Sequence, residues 1–149
     1  AVLLGGAAGV FVTPDELDMP LTFEGTRAAG ATLGSGVIML FDDRVDLGDI
    51  LIRIAAFFRD ESCGQCVPCR IGTIRQEEAL HRLVTAREAG AAPGEVAVTA
   101  REAGGLSREV ALINDVAMVM RDASICGLGQ TAASAVQSAL QKFPIGGTH

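Results

Sequence analysis

Four cysteines carry the chemistry available to this sequence. Cys63, Cys66 and Cys69 stand in ESCGQCVPCRIG as C-x2-C-x2-C, and Cys126 follows after 56 further residues in ASICGLG. Soft thiolates grouped this way select zinc or iron–sulfur clusters over ions that prefer oxygen. A [4Fe–4S] cube has four iron corners, each wanting one thiolate, and three Cys at steps of three can wrap a tight loop around three of them. Gly64 lets the backbone turn inside that loop, and Pro68 fixes the direction of the chain beyond it. Gly127 and Gly129 flank the turn that would bring in the fourth thiolate. A cluster held on Cys63, Cys66, Cys69 and Cys126 would tie two inter-helix loops together, and so would be structural as well as redox-active.

Zinc is the competing reading, as a structural site in an interaction module without redox activity. Structural zinc sites usually pair two C-x2-C halves or mix Cys with His. Here the split is three plus one, and neither His81 nor His149 neighbours a Cys. A ferredoxin-type run would close with C-x3-C-P, which is absent. Three Cys within seven residues pair poorly as disulfides, so metal binding in a cytosolic setting fits better. An open cluster site with catalytic iron would need a corner without a thiolate, and four Cys leave none. His81 falls late in a helix and reads as a surface or core residue. Arg70, directly after the loop, is expected either to hydrogen-bond near the cluster or to pair with an acid such as Glu61.

The elements that must position these thiols are mostly helical. Leu47, Ile50, Leu51, Ile54 and Phe58 recur at helical spacing and end just before the first Cys. A second helix is expected from about Pro68 to Leu83. A third starts near Ser107, a plausible N-cap, with Ile113, Val116, Ala117 and Met120 on one face. A fourth covers Gln130 to Lys142, with Ala132, Val136, Leu140 and Phe143 on one stripe. Four helices joined by short links predict a small bundle over residues 46–149. Residues 1–45 read as the end of an α/β region: Val2 to Leu4 and Val37 to Phe41 as short buried strands, and a short helix near Phe23 to Ala29. The hexapeptide TAREAG occurs at 85–90 and again at 99–104. Two copies are too few for a solenoid, so residues 84–106 are expected to form an extended surface loop.

Composition narrows the class. The 149 residues carry a net charge of −6, which argues against a nucleic-acid partner, because phosphate binding needs clustered Lys and Arg. The best apolar stretch, Ile50 to Phe58, is broken by Arg53 and far below the roughly 20 residues a bilayer needs, so no direct membrane insertion is expected. The N-terminal AVLLGGAAGVFV has neither a basic lead nor a cleavage pattern and does not read as a signal peptide. It opens on an apolar run without an initiator Met, and residue 1 reads as a cut or processed edge. No G-x-G-x-x-G or Walker pattern is present, and no Ser–His–Asp set can be argued.

ESCGQCVPCRIGT resembles the cluster-binding signature of the flavin-bearing (51 kDa-type) subunit of NADH dehydrogenase. That family includes respiratory complex I and the related diaphorase and beta subunits of NAD-dependent hydrogenases and formate dehydrogenases. Upstream, TRAAGATLGSGVIMLFDD is similar to the stretch leading from the family's ubiquitin-like (SLBB) domain into its helical bundle. Downstream, SICGLGQTAASAVQSALQKFP is similar to the segment with the fourth ligand and last core helix. The resemblance spans about Gly5 to Pro144. It implies a mostly α fold, a four-helix bundle holding a [4Fe–4S] cluster on Cys63, Cys66, Cys69 and Cys126, preceded by the end of an SLBB region. It also implies a one-electron relay between FMN and the next iron–sulfur centre of an NAD(H)-dependent complex. Implied partners are ferredoxin-like iron–sulfur subunits and a catalytic dehydrogenase or hydrogenase subunit, in the cytoplasm or at the inner face of the membrane. The family's FMN- and NADH-binding domain lies upstream of everything seen here, so FMN and NAD are expected on that domain or a partner chain, and this chain alone is not expected to oxidise NADH. The spacing before Cys126 is longer than in complex I, which the doubled TAREAG accounts for, and SICGLGQTA is closer to the hydrogenase and formate dehydrogenase relatives.

Overall fold

The alternation of Val2, Leu3 and Leu4 opens the computed structural model, which describes residues 1–88 and 108–145. These three residues form β1 (Val2–Leu4), the central strand of a three-stranded antiparallel sheet. It pairs on one side with β2 (Val10–Val12), in the register Leu3 opposite Phe11, and on the other with β3 (Ile38–Leu40), Leu3 opposite Met39. Because successive side chains point to opposite faces, Leu3 and Phe11 join the main core while Val2, Leu4 and Val12 form a small separate cluster with Val10, Met19 and Ala31. Between β2 and β3 lies α1 (Phe23–Ala28), whose Gly25 N–H is accepted by the Thr22 hydroxyl.

Two strand expectations change here. The β2 strand is not among the expected elements, although VFV after a glycine-rich link repeats the VLL signal. The third strand, expected to be buried, is exposed along its whole length. As an edge strand with β1 on one side only, it has nothing among the described residues to cover Ile38, Met39 and Leu40.

Most of the described residues beyond β3 are helical. Asp46 caps α2 (Leu47–Asp60) by accepting the Gly48 N–H at 2.7 Å. Its apolar stripe works as the spacing predicts: Leu51, Ile54 and Phe58 are buried, with Leu47 and Ile50 packed against the core. The next helix, α3 (Val67–Glu88), outruns its expected end at Leu83. Residues 84–88 are therefore helical, and the rest of the extended loop expected over 84–106 lies outside the described residues. The first TAREAG copy enters α3, whereas the second copy and Ser107 lie outside the described residues, as does His149. Then comes α4 (Arg108–Ala123), burying Ile113, Ala117 and Met120.

The last expected helix is two: α5 (Gly127–Thr131) and α6 (Ser134–Lys142). At the break the Ala132 carbonyl accepts the Gln76 side-chain amide from α3 at 3.1 Å. Helix α3 packs between α2 and α4, and α6 packs on α2, α4 and β2. Arg59 on α2 pairs with Glu77 on α3. Sheet and helices meet at Phe11, whose ring contacts Phe41 and Phe143 and whose N–H donates to Ser138 Oγ at 2.8 Å. No helix among the described residues is long and apolar enough to cross a membrane.

Candidate metal centre

The 14 residues of α2 end in Asp60, and the chain then turns through Glu61 to Gln65 before α3 begins. Gly64 takes φ +74°, a conformation that favours glycine, so the turn can close tightly between Cys63 and Cys66. Arg70 reaches back to donate to the Gly64 carbonyl at 3.3 Å, clamping the loop from within. Of the two roles expected for Arg70, the structure shows a hydrogen bond within the cysteine loop and, among the described residues, no pair with Glu61.

Cys66 stands directly before α3, and its carbonyl accepts the Arg70 N–H at 3.0 Å, as an N-cap residue does. Cys126 is likewise the N-cap of α5. Cys69 lies in the first turn of α3 and is 5% exposed, Cys66 is half-buried, and Cys63 and Cys126 are exposed. The two turns touch. The Ile125 N–H foremost, then the Cys69 N–H, draw the Cys66 thiol below its ordinary range against the opposing effect of burial. Cys66 is thus held against the residues just before Cys126. Gly129, on the same side of α5, permits this approach: a Cβ there would sit 2.9 Å from Cys69 Cβ and 2.7 Å from Ser124 Cβ.

Two serines line the seam. Ser62 Oγ lies 3.4 Å from Cys69 Sγ and accepts the Gly64 N–H at 3.4 Å. Ser124 is buried, and its hydroxyl completes no hydrogen bond with the protein although it faces Cys66. Gln130 holds the Ser124 carbonyl at 3.1 Å and so fixes the turn before Cys126. Sequence reasoning finds the four thiols but misses Ser62, Ser124, Gln76 and Gln130. For Ser62, Ser124 and Gln130 the signal available was their adjacency to the cysteine turns, whereas the contact of Gln76 across 56 positions is not written in its spacing. His81 is exposed on α3, 4.0 Å from Glu77, as a surface histidine.

Among the described residues no group of three or more His, Cys, Asp or Glu side chains is gathered to hold a metal ion. A lone zinc wants four donors, with thiolates at about 2.3 Å from one point. A cube instead spreads its thiolates over four corners, which suits thiols distributed on two facing turns. An all-sulfur donor set, backbone N–H groups aimed at Cys66, and a buried hydroxyl without a protein partner fit such a group.

Two thiol-bearing turns packed together on a helical domain suit an iron–sulfur-binding protein. The chain belongs to the family described as the NADH-ubiquinone oxidoreductase-F iron–sulfur binding region, whose model matches residues 49–145. The cofactor of this region is a [4Fe–4S] cluster. The NADH-quinone oxidoreductase F subunit of Mycobacterium tuberculosis is 32% identical over 139 residues, covering 93% of this chain and 27% of that protein. The NADP-reducing hydrogenase subunit HndC of Solidesulfovibrio fructosivorans is 28% identical over 147 residues, covering 96% of this chain and 26% of that protein. Among solved structures, an NAD+-reducing [NiFe]-hydrogenase in the H2-reduced state superposes with a TM-score of 0.69 at 31% identity, covering 95% of this chain and 21% of that one. The chain spans about a quarter of the length of the curated relatives it matches.

Proposed function

We propose that this chain is a one-electron relay of an NAD(H)-dependent oxidoreductase complex, holding its [4Fe–4S] cluster on Cys63, Cys66, Cys69 and Cys126. The observation that carries the reading is the seam itself: Cys66 and Cys69 packed against the 124–129 turn that bears Cys126. Bound there, the cluster supplies a single-electron couple. The chain's own residues fix where the thiolates stand, exclude water from the Cys69 side, and leave the Cys63 and Cys126 side open to exchange.

The relay exchanges electrons with FMN, carried with the NAD site on another domain or a partner chain, and with the next iron–sulfur centre. The relatives' names support the setting, since they belong to NADH-quinone oxidoreductase and NADP-reducing hydrogenase subunits. On this reading α2, α3, α4 and α6 are the four helices of a bundle and the N-terminal sheet is the end of an SLBB region. The partners are ferredoxin-like iron–sulfur subunits and a dehydrogenase or hydrogenase subunit, on the cytoplasmic side, free or held at the inner membrane face.

Anaerobic purification tests it. A brown chain with about four iron and four sulfide, and an EPR signal after dithionite, is expected. A colourless chain with stoichiometric zinc and no iron would refute it.

A further inference from the structure

Two inner thiols sit beside serine hydroxyls, and the two outer thiols are exposed. We propose that Ser62 and Ser124 donate O–H···S hydrogen bonds to Cys69 and Cys66 respectively, and that these bonds raise the reduction potential of the cluster. The proposal rests on the reading that the four cysteines are its ligands.

The proton count decides the direction of the Ser62 bond. Its oxygen is 3.4 Å from Cys69 Sγ and already accepts the Gly64 N–H. As a cluster ligand Cys69 is a thiolate with no proton to give, so the serine O–H is the donor. Ser124 argues the same way from burial. It is 7% exposed, its hydroxyl oxygen has no hydrogen-bond partner in the protein, and it faces Cys66. A buried hydroxyl without a partner is destabilising. The thiolate of Cys66 is the acceptor that would relieve that cost.

Reduction adds negative charge to the cluster and its sulfurs. A donor aimed at a thiolate therefore stabilises the reduced state more than the oxidised one, which raises the potential. Both hydroxyls act on the side where Cys69 is buried and water is least able to substitute for them. The exposed Cys63 and Cys126 have no serine hydroxyl bonded to sulfur among the described residues. The two serines are positioning and tuning residues; neither is a ligand.

The test is an EPR-monitored redox titration of the anaerobically loaded chain, comparing wild type with Ser62→Ala, Ser124→Ala and the hydroxyl-keeping Ser62→Thr and Ser124→Thr. Each Ala variant is expected to lower the reduced-to-oxidised ratio at the wild-type midpoint by up to about tenfold, which is about 59 mV for a one-electron couple. The Thr variants are expected to regain most of it. The signal comes only from loaded chains, so a variant that loads poorly still reports its potential. Ala variants with unmoved potentials overturn the proposal, and so does a loss of loading without a potential shift, which marks a packing role. A wild-type chain without iron overturns the ligand reading beneath it, a distinct result.

Discussion

Replacing Gly129 with Ala should force the two cysteine turns apart. The added Cβ lands against Ser124 Oγ, 2.7 Å from Ser124 Cβ and 2.9 Å from Cys69 Cβ. Carbon atoms in contact sit about 3.5–4.0 Å apart, so two carbon neighbours must each retreat by roughly 1 Å. The Ser124 hydroxyl can rotate away, but neither Cβ can move without its backbone. Cys69 is fixed in the first turn of α3, and Ser124 is held through its carbonyl by Gln130. Overpacking of this kind costs about 1–3 kcal/mol, offset by up to about 1 kcal/mol of helix propensity that Ala brings to α5. The net expectation is a loss of roughly 1–2 kcal/mol, or about 2–8 °C in Tm for a chain of this size. Gly127→Ala is the matched control, because a Cβ there meets nothing within 4 Å. Urea denaturation of the metal-free chains measures the packing cost without metal linkage, and iron content after reconstitution measures whether the turns still meet. Equal stability and equal loading of the two variants would refute the packing argument.

Three further expectations follow from other contacts. Cys126→Ser should abolish the four-iron centre by iron analysis and EPR; an intact cluster at unchanged potential would mean Cys126 is not a ligand. Ser138→Ala removes the acceptor of the Phe11 N–H and should cost about 1–3 kcal/mol in urea denaturation, the penalty for a buried unpaired donor. Glu16 accepts from Lys142 on α6, and that bond, followed by the Thr13 N–H, holds its carboxyl below the ordinary range. A depressed carboxylate stabilises the fold fully above its unfolded-state pKa of about 4.3 and loses that contribution as pH falls through the folded value. Glu16→Gln should therefore flatten the acid limb of the stability profile, by about 1 kcal/mol or less for a pair this exposed. An unchanged acid limb would show that the pair contributes nothing.

The helices were legible wherever one face stays apolar over several turns. The α2 stripe and the Ile113, Ala117 and Met120 face of α4 needed only their period. The end of α3 was not legible, because TARE carries no stop signal and the repeat suggested a loop. The split between α5 and α6 was not legible either, since its flanks carry no Gly or Pro and the Gln76 amide that meets the Ala132 carbonyl there lies 56 positions away. For the same reason the thiols were readable from local spacing while the serine hydroxyls beside them were not. Strand β3 misled because an apolar run states its composition, not whether a second layer covers it.

The placement of Phe11 bears on how this chain loses its structure. Its ring lies between Phe41, just before α2, and Phe143, just after α6, and its amide is bonded inside α6. Residues from the first third and the end of the sequence thus share one junction. Strand β2 therefore cannot open without breaking its contacts to α6, so this strand and the last helix belong to one cooperative unit. Amide exchange at Phe11 should then be as slow as exchange within α6, because both need the same opening.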